Sequence, residues 1–416
     1  MFSHIKLWDE ALALFDFLKR DRSEDRFAER VMARLRATGW SHEIAYDPQS
    51  FSIRTKPEGD VLHLEIVYRE WLTYPRAAQA AQLDRIIAPV LEADLAESFD
   101  EAEPRLLPLV RSMTDLQVMA LDSEPPDLEL WQPCRRLAGP LGVLLAINLP
   151  NSTALVPHSK LEAWGKTFDE LFERALDNLI AISPVRFEQT DAGFLISNYE
   201  DGYDASRLLM PELFVALQLK GAPVAVAVTR DHVVVAGSED VPALKAMAAH
   251  VTQIFNDATR PMSYQPLILN GECWEPFEGG LSADLRDLRD LSCRQAVWDD
   301  SMQTPRLERF LAHHSQDVFV APLDVVLPDA DAFTWTSWTE GVPALLPKAH
   351  GVGMAAADGR KIFRLWSDIE AVCGPFTEDT AFHPSRYRPP AWPSPDAFLR
   401  LEREFPTPGW WEAATA

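Results

Sequence analysis

An α+β fold, with antiparallel sheets built from hairpin-plus-helix units and helices packed on one face, is what the sequence predicts. Three successive units carry that expectation. Apolar runs at 142–149 and 153–156 precede a helix from Thr167, runs at 185–189 and 194–197 precede a helix reached by Pro211, and runs at 223–228 and 232–236 precede a helix over 241–255. Strands joined by short turns pair antiparallel, and a helix after each hairpin covers one face of the resulting sheet. Turn chemistry is the second observation: Pro150-Asn151-Ser152, Thr190-Asp191-Ala192-Gly193 and Arg230-Asp231 part the three pairs, and Gly193 suits the positive φ of a hairpin bulge. Length is the third, because 416 residues at 47% hydrophobic content are too many for one ordinary core and apolar enough to fill several.

Taken in order, the chain opens with two expected amphipathic helices, 7–19 and 26–37, with Leu7, Ala11, Leu14, Phe15 and Leu18, then Phe27, Val31 and Leu35, at helical spacing. Short alternating strands follow at 42–46, 51–54 and 61–67, and then a helix over 77–97 that Pro89 is expected to kink or break. A strand at 106–110 ends at Arg111 and Ser112, and the acidic, proline-rich 122–133 reads as a connector. Thr167 and Glu170 form a capping box ahead of a stripe of Phe168, Leu171, Phe172, Ala175, Leu176, Leu179 and Ile180. Residues 260–265 and 273–280 read as a domain junction. Beyond it come a helix over 281–314 with a break at Pro305, strands at 317–326, 332–337 and 342–354, and a helix over 362–372. The tail from Pro375 carries Trp392, Trp410 and Trp411, suited to anchoring on a neighbouring domain. Three domains are expected: 1–103, 104–265 and 266–416.

Composition excludes more than it assigns. With 63 acidic against 39 basic residues the net charge is -24, which argues against nucleic acid as a partner, since phosphate binding needs clustered Lys and Arg. The longest apolar run, 141–147, is far short of the roughly 20 residues that span a bilayer, so no membrane partner is expected. Asp9 and Glu10 interrupt the first apolar residues and no small-residue cleavage site follows, so the expected localisation is cytoplasmic. Cys134, Cys273, Cys293 and Cys373 are scattered and read as reduced, structural thiols, although Arg135 and Arg136 beside Cys134 would lower its pKa if they faced it. His313 and His314 are adjacent and diverge on a helix, while His63 and His158 read as structural. The chain has no HExxH or GxSxG pattern, and Gly351-Val352-Gly353 lacks the rest of a phosphate loop, so no metal and no cofactor is expected.

The densest polar stretch is 198–209, Asn-Tyr-Glu-Asp-Gly-Tyr-Asp-Ala-Ser-Arg-Leu-Leu. It supports two readings. As a ligand site, Asp201 and Asp204 bind a cation or act as acid and base, Arg207 and Arg111 hold an anion, and Tyr203 or Ser206 supplies a hydroxyl. As a structural turn, Gly202 reverses the chain, Asp204 caps the following helical turn through the amide near Arg207, and Arg207 pairs with Glu200 or Asp201. Convergence on a concave pocket with unpaired groups favours the first reading; side chains paired off around a helix start favour the second.

Four fragments resemble the YtpQ-like family of bacterial proteins, a domain of unknown function. They are Leu161-Glu162-Ala163-Trp164, then Ala175, Asn178 and Leu179, then Asp201-Gly202-Tyr203-Asp204-Ala205-Ser206-Arg207, and Pro108-Leu109-Val110-Arg111-Ser112. Their order and spacing agree over roughly residues 21–255, with Pro211 and everything from Ile268 departing from the pattern. The resemblance implies a bacterial cytosolic setting and no catalytic roles. The expected function is a non-catalytic accessory protein or scaffold that binds another protein. The alternative is a small-molecule or metal-assisted enzyme or ligand binder with its site at 201–207.

Overall fold

The computed structural model describes residues 22–40, 42–55, 61–92, 98–130, 132–150, 152–277, 283–326 and 332–411, so the helix expected over 7–19 lies outside the described residues. The chain forms two compact units, Met1–Leu106 with Ala146–Ala154, and Leu107–Leu145 with Leu155–Ala416.

In the first unit, helix Arg22–Ala37 lays Phe27, Val31 and Leu35 against a three-stranded antiparallel sheet of Ala45–Asp47, Ser52–Arg54 and Val61–His63. The strand expected over 61–67 stops at His63, which is exposed, and helix Glu65–Thr73 takes over. Leu64, Tyr68 and Trp71 explain the switch. They recur four and three apart, so a helix buries all three, and Phe27 sits 4.9 Å from the Tyr68 ring and 5.1 Å from that of Trp71. Helix Gln79–Glu92 runs through Pro89 without a break, held by buried Ile87 and Val90.

The second unit is organised around a six-stranded antiparallel sheet in the order Cys273–Pro276, Leu267–Asn270, Pro223–Thr229, His232–Gly237, Leu195–Ser197, Phe187–Gln189. Helix Val241–Asp257 covers one face with Leu244, Met247, Val251 and Phe255 against Val224, Val226, Val228 and Val234. Of the residues expected as a junction, 260–265 and 273–280, Cys273–Pro276 instead forms a strand of this sheet, where Trp274 pairs with Leu269 and both are buried, as a linker would not allow. A smaller sheet places Leu141–Asn148 between Leu106–Ser112 and Arg135–Ala138. Helix Met113–Leu121 follows directly, its start capped by Ser112 Oγ, which accepts from the Asp115 amide at 3.2 Å. That helix is buried on several sides, so it shows no amphipathic period to read.

Helix Arg286–His313 continues unbroken through Pro305. Beyond it lie two four-stranded sheets, Phe319–Val320, Ala344–Pro347, Arg386–Arg388, Thr377–Asp379 and Asp324–Val326, Phe333–Thr339, Gly351–Ala355, Lys361–Leu365. Each contains one parallel pair among its antiparallel neighbours. The helix expected over 362–372 is shorter: Lys361–Leu365 is a strand, because Phe363 and Arg364 are buried there, and the helix is Trp366–Cys373. The tryptophan tail packs within its own unit. Trp410 stacks on Phe333 at 4.7 Å, Trp411 on Phe363 at 3.8 Å, and Trp392 meets Trp338 at 4.8 Å. The whole is α+β.

Candidate functional site

The turn at 198–209 starts where strand Leu195–Ser197 leaves the sheet, and it wraps tightly because Glu200 and Gly202 take φ of 56° and 82°. Asp201 is its hub. Asp201 Oδ1 accepts from the Tyr203 amide and from Arg207 Nη1, both at 3.0 Å, and Oδ2 accepts from Arg207 Nη2 at 2.7 Å. The Arg207 guanidinium is fully buried and lies 3.5 Å from the centre of the Tyr199 ring. Burial works to raise the Asp201 pKa, but hydrogen bonds from Arg207 and Tyr203 hold it below the usual carboxylate range. Ser206 Oγ accepts from the Val110 amide at 3.1 Å, tying the turn to strand Leu106–Ser112, and Arg111 donates to the Val110 carbonyl at 2.7 Å. Burial and the nearby Arg230 push the Arg111 pKa down to about 10.

Asp201, Tyr203, Asp204, Ser206, Arg207 and Arg111 are therefore brought together, and most of their polar atoms bind one another or the backbone. Asp204 differs from the expected cap: its backbone carbonyl accepts from the Arg207 amide at 3.1 Å, while its side chain turns back to accept from the Tyr199 amide at 3.4 Å. Burial raises the Asp204 pKa, with Ser197 and Tyr199 opposing. Two atoms make no hydrogen bond, Asp204 Oδ2 and Arg207 Nε; the first lies near the Ser197 hydroxyl and the second belongs to a guanidinium already held twice by Asp201.

A second polar assembly, absent from the sequence reading, lies along the long helix Arg286–His313. Ser292, Gln295, Asp299 and Gln303 stand three and four residues apart, one buried polar stripe on a helical face. Ser292, Gln295 and Asp299 border a cavity of about 230 Å³ whose wall also includes Thr114, Arg136, Lys348 and His383. Asp300 is saturated: its Oδ1 takes Arg386 Nη2 at 2.8 Å and its Oδ2 takes the Leu323 amide at 3.0 Å. Arg386, wholly buried, spends its remaining donors on Gln303, on the Ala321 carbonyl at 3.0 Å and on Thr304 at 2.8 Å.

Asp299 is not saturated. Gln295 Nε2 donates to its Oδ2 at 2.9 Å, and the Gln295 amide is fixed in turn by accepting from the Tyr264 amide at 2.6 Å. Asp299 Oδ1, buried in the cavity wall, has no hydrogen-bond partner among the described residues. Burial pushes the Asp299 pKa up to about 7; Gln295 and Thr114 oppose the shift, while the charges of Asp115 and Asp300 add to it. Burial also pushes neighbouring Asp115 up to about 6. Exposed Arg136 and Lys348 stand at the mouth, the Lys348 ammonium 4.3 Å over the Trp366 ring. His383 is shifted down by burial and by the charge of Arg136.

Other expected chemistry finds these surroundings. The Cys134 thiol is pushed up to about 11 by burial, against the activation its arginine neighbours suggested, and none of the four cysteines forms a disulfide. Among the described residues no group of three His, Cys, Asp or Glu side chains could hold a metal ion, and no helix is long and apolar enough to cross a membrane. Compared with protein-family models, curated proteins and solved structures, the chain matches none.

Proposed function

We propose that this chain is a non-catalytic binding protein that takes a small polar ligand into the cavity beside helix Arg286–His313. One observation carries the reading: a carboxyl oxygen, Asp299 Oδ1, buried in a cavity wall without a hydrogen bond, the Thr114 hydroxyl being beside its carboxyl. Burying a polar atom unpaired costs about 1–3 kcal/mol, more when charged, so such atoms are rare unless something arrives to pair them. Asp300, the next residue, shows the alternative, with a buried arginine and a backbone amide occupying both of its oxygens. Polar groups around an otherwise apolar hollow are the usual makeup of a ligand site.

The test is a metabolite library read by thermal shift on the wild-type chain and on Asp299→Asn. A ligand of the cavity raises the wild-type melting temperature in proportion to ln(1 + [L]/Kd) and leaves the variant unmoved. Compounds that stabilise both alike, or that are turned over, contradict the reading.

Engagement of another protein has one specific observation behind it. Strand Phe187–Gln189 is an edge of the six-stranded sheet, and the chain just before it exposes Ile180, Ile182 and Val185. An extended segment of a partner would add there as a further strand. Glu188 turns its amide inward to Ile196, whereas the Gln189 amide faces outward, so Gln189→Pro then abolishes capture of a protein that co-purifies with the wild type; capture unchanged by that substitution sinks this second reading.

A further inference from the structure

We infer that the cavity takes a molecule with a primary ammonium at its inner end and a carboxylate at its outer end, Asp299 receiving the first and Arg136 with Lys348 the second. This rests on the reading that the cavity binds a ligand, and it assigns that ligand a chemical class. Depth sets the polarity. Asp299 and Asp300 are 4% and 6% exposed, whereas Arg136 and Lys348 are exposed at the mouth. At the inner end the facing charged groups are Asp115, Asp299, Asp300 and Arg386, three carboxyls to one guanidinium. Arg386 is committed to Asp300 at 2.8 Å, so Asp299 has no cation of its own. At the outer end Arg136 and Lys348 face the carboxylates of Glu370 and Glu378, with His383 beside them held toward its neutral form.

An ammonium fits the inner end for two reasons: it donates to the oxygen that lacks a partner, and it supplies the charge that the carboxylate lacks. Between the ends, Met113, Ala296, Leu323 and Pro347 offer apolar wall for a short alkyl chain. Because burial keeps Asp299 largely protonated below pH 7 and the ammonium needs it ionised, binding there releases up to one proton to the buffer. The affinity therefore strengthens as pH rises toward about 7 and levels off above it.

Calorimetric titration of the full chain with 5-aminopentanoate, n-pentylamine and pentanoate separates the two ends. The zwitterion is expected to bind tightest, the amine at least tenfold weaker, and the acid weakest of the three. Asp299→Asn keeps the hydrogen bond to Gln295 but removes the charge, and should weaken 5-aminopentanoate and n-pentylamine by tenfold or more. Lys348→Met, at an exposed position, should weaken 5-aminopentanoate about fivefold and leave n-pentylamine unchanged; it also carries the test should Asp299→Asn fail to fold. At pH 6.5, buffers of different ionisation enthalpy should report proton release. Pentanoate binding as tightly as the amine, or an affinity indifferent to both substitutions, overturns the assignment. If none of the three binds while a library compound stabilises the wild type and not Asp299→Asn, the assignment fails and the cavity reading stands. If no compound depends on Asp299, both fail.

Discussion

The turn at 198–209 and the cavity beside the long helix are both rich in buried acid, and they differ in what the acid does. In the turn, Asp201 holds the fully buried Arg207 with both oxygens, the hydroxyl of Ser206 accepts from a neighbouring strand, and the unbonded Asp204 Oδ2 belongs to a carboxyl with the Ser197 hydroxyl beside it. The cavity has the same kind of pair in Asp300 and Arg386, with one more carboxyl than its arginine can hold. A buried charge with its counter-charge fixes the chain; one without it keeps a binding interaction in reserve. The crowding of acidic residues in sequence therefore says less about function than the pairing of individual oxygens.

Breaking a pair should cost most. Arg386→Met leaves Asp300 buried without its cation and is expected to lower unfolding free energy by about 5 kcal/mol, measured by urea denaturation. A loss under about 1 kcal/mol would mean that this pair is not what holds the long helix to the strand Arg386–Arg388.

Asp299→Asn should do the opposite. A carboxyl whose folded pKa is raised to about 7 stabilises the fold fully below its unfolded value of about 4, and loses that stability as pH rises through 7. The amide has no such slope. The variant should equal the wild type near pH 4 and exceed it by up to about 4 kcal/mol at pH 8; a variant less stable at pH 8 would show that the unpartnered oxygen is satisfied in the free protein. Asp201→Ala strands buried Arg207 and should cost about 3 kcal/mol, while binding in the cavity is unchanged. The smallest effect is a control on local structure: Thr167→Ala removes a capping box and should cost about 1 kcal/mol with no effect on ligand affinity.

How much was legible in the sequence follows the same division between local and distant causes. The capping box at Thr167 and Glu170, the positive φ of Gly193, and the helix start at Pro211 depend on neighbours a few residues apart, and all three stand in the structure. Helix Met113–Leu121 was hidden because burial on several sides erases the period that marks a helix. Pro89 and Pro305 suggested breaks, yet tertiary packing carries both helices through them. The turn was conspicuous because its polar residues are consecutive. Thr114, Arg136, Asp299, Lys348 and His383 meet in the cavity from five separate stretches, so composition could not flag them. The spacing of Ser292, Gln295, Asp299 and Gln303 was the available signal, a polar stripe where a buried helix should present apolar residues.

The carbon-13 titration of the Asp299 side-chain carboxyl, assigned by comparison with Asp299→Asn, tests the central claim most directly. A midpoint near 7 in the free protein that drops by more than one unit with saturating 5-aminopentanoate is the predicted result. An ordinary carboxylate midpoint near 4, unmoved by the ligand, would contradict the account.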